Sequence, residues 1–174
     1  MTTYIVLFRA INVGGKNRVI MKDLVAVLES MGYEQVKTYI QSGNVIFQDK
    51  EQETDLIASA IRSRVLEEWG FEPKVMVLTK AELQDIVDNN PFDSKGGKDF
   101  HLYFLEMPPK NPDLEALHKV QSKSEEFRLC GKVFYLYAPE GIGRSKLAAK
   151  IEKSLGVPVT ARNGNTVRKL ITMV

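Results

Sequence analysis

Apolar residues recur along this chain at two spacings, the alternation of a strand and the three-to-four-residue period of a helix. In the first half, Thr3 to Phe8 is a run of β-branched and aromatic residues and predicts a strand. Leu24, Leu28 and Met31 then fall at helical spacing, so a helix follows. A hairpin, a helix, a strand and a further helix come next. The predicted order, β-α-β-β-α-β plus a helix, is that of ferredoxin-like domains.

The same order returns in the second half, after the segment from Asp93 to Lys98, which contains two glycines and predicts a linker. Gly43 and Gly131 mark the predicted hairpin turns of the two halves. We therefore predict an α+β fold of two tandem ferredoxin-like subdomains. Their predicted boundaries are residues 1–92 and residues 99–174.

One connection departs from this repeat. Twelve residues, from Arg9 to Ile20, join the first predicted strand to its helix, whereas five, from Met107 to Asn111, do so in the second half. Such connections usually take ~2–6 residues. Because the shorter segment indicates that the fold closes without the extra length, we predict a function for the longer one.

The loop from Arg9 to Arg18 has the composition of an anion site. Gly14 and Gly15 let the backbone turn its N–H groups outward, and two cations stand just before a helix N-terminus. The spacing of the phosphate-binding GxxxxGK[ST] motif is absent. The polar turn of the first hairpin is expected to lie near the loop, although a turn alone also accounts for its glycine and asparagine. The leading site combines Arg9, Asn12, Lys16 and Asn17 with Gln41 and Asn44.

Two stretches of the second half add candidates. Glu140 to Lys146 is predicted to open a helix that runs from Arg144 to Leu155, with two glycines and two cations at its start, a second place for phosphate. Arg162 and Asn163 precede the last helix, which Asn165 or Thr166 is expected to cap, and so have no structural explanation. The candidate ligand-binding residues are Arg9, Asn12, Gly14, Gly15, Lys16, Asn17, Arg18, Gln41, Ser42, Asn44, Arg144, Arg162 and Asn163.

Composition narrows the setting. The chain is 44% apolar and 26% charged, which is ordinary for a globular protein, and it shows no signal peptide and no apolar run of membrane-spanning length. The single cysteine, Cys130, forms no intrachain disulfide and no recognisable metal site, so we predict a cytoplasmic protein with no membrane partner. Residues 1–95 carry 11 Lys and Arg against 14 Asp and Glu, a charge of −3, and residues 96–174 carry 13 against 8, a charge of +5.

The basic second half leaves a nucleic-acid partner open as an alternative. Tyr103, Tyr135 and Tyr137 are expected to share one sheet face, an arrangement with which RNA-recognition domains stack bases. The two halves burying these faces against each other is the competing interpretation. His101 and His118 have no catalytic pattern around them.

Three motifs together resemble a bacterial family known only as domain of unknown function 1697. The first is Phe8 to Asn17, where the family has glycine in place of Ala10; the second is Thr38 to Phe47; the third is Thr160 to Leu170, where the family has tryptophan in place of Gly164. The resemblance implies an α+β fold with ferredoxin-like parts. It implies no activity, cofactor or substrate.

These observations predict an intracellular protein that binds a small anionic or phosphorylated ligand at the Arg9–Arg18 loop. The alternatives are a nucleic-acid-binding protein that uses the basic second half, and an enzyme of unassigned reaction at the same loop.

Overall fold

The computed structural model describes residues 1–174. The fold is of mixed α and β structure, with two four-stranded antiparallel sheets and six α-helices. It divides into two compact units. Unit 1 comprises Met1–Asp85 with Leu170–Val174, and unit 2 comprises Ile86–Lys169.

The sheet of unit 1 has the strand order β2-β3-β1-β4, with every neighbouring pair antiparallel. The apolar side chains of one sheet face and of the first two helices form its core, which includes Tyr4, Val6, Phe8, Leu24, Phe47 and Ile61. Its elements are β1 (Thr2–Arg9), α1 (Met21–Ser30), β2 (Glu34–Tyr39), β3 (Asn44–Asp49), α2 (Thr54–Trp69), β4 (Lys74–Thr79) and α3 (Lys80–Asp88), of which α3 crosses into unit 2.

The sheet of unit 2 has the order β6-β7-β5-β8, again antiparallel throughout. Its core includes Tyr103, Leu117, Phe134, Leu136 and Leu155. Its elements are β5 (Phe100–Leu105), α4 (Leu114–Val120), β6 (Glu126–Cys130), β7 (Val133–Tyr137), α5 (Ile151–Leu155), β8 (Val159–Asn163) and α6 (Gly164–Met173), whose end belongs to unit 1.

A capping box and helix-ending glycines set helix boundaries in this fold. Thr79 and Glu82 form the reciprocal capping box that opens α3: the Thr79 N–H donates to the Glu82 carboxylate at 2.7 Å, and the Glu82 N–H donates to the Thr79 hydroxyl at 3.2 Å. Gly70 and Gly156 end α2 and α5 in the left-handed conformation, with φ of +75° and +69°.

The predicted helix from Arg144 to Leu155 is wrong in extent. The chain makes separate 3-10 turns at Ile142–Arg144 and Ala148–Lys150 before α5 begins at Ile151. The Ser145 hydroxyl accepts from the Ala148 N–H at 3.0 Å, so a side chain caps a new turn where a continuous helix was expected. Arg144 therefore does not stand at the start of an α-helix.

The contrast between the two strand-to-helix connections is smaller than the sequence suggests. Eleven residues, 10–20, separate β1 from α1, and eight, 106–113, separate β5 from α4. The predicted connection ends at Asn111, but the helix after β5 begins later because Asp113 is its N-cap: the Asp113 carboxylate accepts from the Ala116 N–H at 3.0 Å. Length alone is thus a weaker argument for function than the sequence indicates.

Candidate functional site

The loop after β1 is a small hairpin of its own. Val13 and Lys16 form an isolated antiparallel bridge around Gly14 and Gly15, whose φ angles are +60° and +72°. The Asn12 N–H donates to the Asn17 carbonyl at 3.1 Å, which closes the base of this hairpin. The glycines are required here because side chains disfavour the left-handed backbone.

Two asparagine side chains pin this small hairpin to the backbone around it. The Asn12 amide nitrogen donates to the Val19 carbonyl at 2.9 Å, and its amide oxygen accepts from the Val19 N–H at 2.8 Å. The Asn17 amide nitrogen donates to the Ala10 carbonyl at 3.2 Å. Since these bonds fix the start and end of the loop, both amides serve its shape.

The loop and the turn between β2 and β3 lie together, as the leading site requires. The Asn12 amide nitrogen also donates to the Gln41 carbonyl at 3.0 Å, and the Phe8 N–H donates to the Gly43 carbonyl at 2.8 Å. A Cβ added at Gly43 would lie 2.6 Å from Ile11 Cδ1 and 2.7 Å from Phe8 Cβ, so only glycine fits this approach.

The turn between β2 and β3 is longer than a two-residue hairpin turn. Four residues, 40–43, separate the strands, because β2 ends at Tyr39 and both Ile40 and Gln41 lie in the turn. The fully buried Asn44 donates to the Tyr39 carbonyl and to the Ser42 hydroxyl, both at 3.0 Å. Asn44 and Ser42 therefore hold the turn closed, whereas the Gln41 side chain is exposed.

The charged groups of the loop are differently placed. The side chains of Lys16 and Arg18 are exposed and form no hydrogen bond or ion pair within the chain, whereas Arg9 is half-buried and already engaged. The N–H groups of Gly14 and Gly15 also make no hydrogen bond within the chain. Two cations and two backbone donors are thus open to solvent on a loop whose ends are fixed.

Arg144 lines a cleft of ≈ 310 Å³ in unit 2, together with Lys146, Glu125 and Glu140. The buried Glu125 accepts from the Ser122 N–H at 2.9 Å, so this carboxylate holds the turn after α4. The cleft carries both signs of charge, unlike the loop of unit 1.

Arg162 and Asn163 find structural partners that the sequence did not indicate. The Asn163 side chain accepts from the Thr166 N–H at 2.9 Å and thereby caps α6, so neither Asn165 nor Thr166 is the cap. Arg162 is half-buried and donates to the Ala161 carbonyl at 2.9 Å. Burial lowers the pKa of Arg162 to about 10, so the guanidinium remains charged at neutral pH.

The expected tyrosine face does not exist. The register pairs Tyr103 with Phe134, so Tyr103 points into the core beneath the helices, and burial raises its pKa to about 12. Tyr135 lies on the opposite face, is buried, and donates its hydroxyl to the Ile86 carbonyl at 2.8 Å. Tyr137 is half-buried against the Phe92 ring. Together these residues present no open platform for bases.

His101 is half-buried, and its Nδ1 is a buried atom without a hydrogen-bond partner. Burial lowers the pKa of His101, an effect that the nearby Asp99 carboxylate partly opposes. No three side chains of His, Cys, Asp or Glu are grouped so as to hold a metal ion. No helix is both long and apolar enough to cross a membrane.

At position 164 the fold explains the departure from the motif quoted above. A Cβ on Gly164 would lie 2.2 Å from Phe100 Cζ, because the buried Phe100 ring occupies the space beside this residue. The guanidinium of Arg168 lies 4.9 Å above the same ring and also donates to the Lys95 carbonyl at 2.9 Å. These contacts tie the segment that the sequence predicted as a linker to α6 within unit 2.

Sequence reasoning missed the exposed aliphatic side chains of the loop and turn, those of Val13, Ile20 and Ile40. Only Val13 lies outside the period of its neighbours. Ile20 continues the four-residue spacing of Leu24 and Leu28, and Ile40 alternates with Val36, so their spacing favours burial. It also missed the shaping role of Asn12 and Asn17, although asparagine adopts left-handed conformations more readily than most residues.

The chain is similar to a protein family and to solved structures. A family model described as protein of unknown function (DUF1697) matches residues 1–135. Among solved structures, the chain is similar to the conserved bacterial protein SP0830 from Streptococcus pneumoniae, with a TM-score of 0.72 and 24% identity over 99% of this chain and 98% of that chain. At this identity the similarity concerns the fold alone. No curated protein matches the chain.

Proposed function

Because the chain belongs to the DUF1697 family of proteins of unknown function, we propose a function from its own geometry: the Arg9–Arg18 loop binds a small anionic or phosphorylated ligand. The observation that carries this proposal is the solvent-facing group of Lys16, Arg18 and the N–H donors of Gly14 and Gly15. Cations and successive backbone donors in a tight turn are the components of phosphate sites.

The fixed shape of the loop supports the proposal. The Asn12 side chain bonds to Val19 at the end of the loop and to Gln41 in the turn. The N–H donors of the loop are therefore already ordered, so binding a ligand costs little conformational entropy. No carboxylate occurs between Met1 and Lys22 to compete for the cations. The residues of this site would therefore be Gly14, Gly15, Lys16 and Arg18, with Asn12 and Asn17 in support.

Thermal melting tests this directly. A saturating ligand at ~100 times its dissociation constant stabilises a folded state by about 2.7 kcal/mol. For a chain of this size we expect a rise in melting temperature of roughly 5–11 °C with inorganic phosphate, pyrophosphate or a nucleoside monophosphate. Chemical-shift mapping in an isotope-labelled sample should place the perturbation at the amides of Gly14 and Gly15.

A double replacement, Lys16→Gln with Arg18→Gln, should abolish the shift and leave the melting of the free protein unchanged within ~0.5 kcal/mol of stability. Lys50→Gln is the matched control, since Lys50 is exposed and follows β3 at the end remote from Asn44. If no anion shifts the melting curve, or if the double variant still responds, the proposal is wrong.

We also propose that this is a cytoplasmic protein of two tandem ferredoxin-like subdomains, residues 1–92 and 99–174. These bounds differ from those of the two compact units, because residues 86–92 belong to unit 2 and Leu170–Val174 to unit 1. Both sheets follow the same order, in which the first and third strands of each unit are central. Superposition of the two units in an experimental structure, and cell fractionation, would check these two statements.

A further inference from the structure

The loop that carries the two cations, and the turn bonded to it, also carry exposed apolar side chains. Val13 is 64%, Ile20 66% and Ile40 51% exposed. These three of the seven large exposed apolar side chains lie on two segments that the bond from Asn12 to Gln41 holds together. A phosphate ion gains nothing from aliphatic groups, so the surface matches a ligand with both charged and apolar parts.

The openness of the loop narrows the class further. Every residue from 13 to 18 is exposed. Small-molecule sites are concave and typically enclose ~70–90% of the ligand surface, whereas an extended polymer binds across an open surface. An open loop with two available cations therefore suits a polymer that repeats its charge.

Charge composition separates the candidate polymers. Neither the loop nor the turn of residues 40–43 contains Asp or Glu, which favours a polyanion. Recognition of an anionic membrane surface usually requires clusters of ~4–8 basic residues, more than this loop carries. An acidic peptide offers carboxylates on flexible stems. Each nucleotide joins one phosphate to one flat base whose face packs against apolar groups, which matches the cations and aliphatic side chains of the loop and turn.

We propose that the anion bound at the Arg9–Arg18 loop is the backbone of a single-stranded nucleic acid. Lys16, Arg18 and the N–H groups of Gly14 and Gly15 contact phosphates, and the side chains of Val13, Ile20 and Ile40 pack against bases. This rests on the proposed anion site and takes the phosphate bound there to be part of a polymer and not of a free small molecule. It assigns the contact to the loop of unit 1 and not to the tyrosines of unit 2, which present no open platform for bases.

Fluorescence anisotropy with labelled RNA and DNA oligonucleotides of about ten nucleotides tests the proposal. Each phosphate neutralised in a single strand contributes about −0.7 to the slope of log affinity against log salt. With two side-chain cations the slope should be about −1.4, so affinity should fall about sevenfold between ~50 and ~200 mM salt.

Variants separate the two kinds of interaction. Lys16→Gln and Arg18→Gln should each reduce the slope by about 0.7, and Lys50→Gln should change nothing. Ile20→Ser should weaken binding about fourfold for each methylene group that a base no longer covers, at an unchanged slope. Ile20 is the N-cap of α1 and has no side-chain cap bond, so serine there favours the fold and weaker binding would not reflect unfolding.

The outcomes are distinct. If mononucleotide and phosphate bind through Lys16 and Arg18 but an oligonucleotide binds no more tightly, the polymer inference is wrong and the anion site stands. If the Lys16→Gln and Arg18→Gln variants bind an oligonucleotide with the salt slope of the wild-type protein, the site lies elsewhere. The polymer inference is then also wrong. If neither phosphate, mononucleotide nor oligonucleotide binds, the anion site fails together with it.

Discussion

The two strand-to-helix connections solve one geometrical task by different means. The connection of unit 1, residues 10–20, is held by side-chain amides and has five residues with positive φ. The connection of unit 2, residues 106–113, has none. It contains three prolines and is held by backbone bonds, from the Glu106 N–H to the Pro158 carbonyl at 3.2 Å and from the Asp113 N–H to the Ser154 carbonyl at 2.8 Å.

Proline presets φ and limits the freedom of the unfolded chain, so the connection of unit 2 is rigid without strained backbone. A left-handed conformation costs most residues other than glycine roughly 1–2 kcal/mol each, and asparagine less. Four of the five non-glycine residues in this conformation lie in the loop or the turn of unit 1: Ala10, Asn12, Asn17 and Ile40. The loop thus keeps a shape that joining a strand to a helix does not demand, and strain of this kind clusters at functional sites.

The largest expected effect comes from the close approach that joins loop and turn. Gly43→Ala places a Cβ against Ile11 and Phe8 and also forces alanine to φ +80°, so we expect a decrease of about 3 kcal/mol in the free energy of unfolding. Denaturation followed by the fluorescence of Trp69, the single tryptophan, reports on unit 1.

Gly131→Ala in the hairpin of unit 2 is the matched control. Gly131 has φ +56° but no atom within 4 Å of an added Cβ, so only the backbone term of roughly 1–2 kcal/mol remains. Because Gly131 lies in unit 2 and Trp69 in unit 1, the unfolding of this variant is followed by circular dichroism. Equal decreases in the two variants would show that the close approach in unit 1 carries no stability of its own.

The next effect concerns the side chain that holds the loop. Asn12→Ala removes three hydrogen bonds and leaves the N–H and carbonyl of the buried Val19 without partners, so a decrease of about 2 kcal/mol in the free energy of unfolding is expected in denaturant melts. Anion binding should weaken as well, because the loop is no longer preorganised. Asn111→Ala, at an exposed residue of the other connection, should stay within ~0.5 kcal/mol. An Asn12 variant as stable as wild type would mean that the hydrogen bonds of the Asn12 side chain do not shape the loop.

Much of the fold follows from local rules. Apolar spacing predicts the order of strands and helices, and the reciprocal bonds of Thr79 and Glu82 define the start of α3. Such features depend on a few neighbouring residues and are therefore visible in sequence. The proximity of the loop to the first hairpin was an assumption that the bond from Asn12 to Gln41 confirms.

The features that were not predicted correctly depend on contacts between residues distant in sequence. The pairing of Tyr103 with Phe134 sets which faces the tyrosines occupy, and no local pattern states that register. Asn163 looked available for a ligand because its cap role depends on where α6 begins. The exposure of Ile20 and Ile40 depends on how the surrounding backbone folds, so the apolar part of the site was not predicted.

The smallest prediction has the opposite sign. Ala10 has φ +62°, a conformation that costs alanine roughly 1–2 kcal/mol and that glycine adopts without this cost. Part of the stability gained by removing the cost is lost again, because glycine has greater freedom in the unfolded chain. Ala10→Gly, which restores the glycine of the motif that this segment resembles, should therefore stabilise unit 1 by about 0.5–1 kcal/mol in denaturant melts followed through Trp69. Ala26→Gly, at an exposed position inside α1, is the control and should destabilise by about 1 kcal/mol. If both replacements destabilise the protein equally, residue 10 is not strained. The loop of unit 1 would then not differ from the proline-fixed connection of unit 2 by backbone strain at this residue.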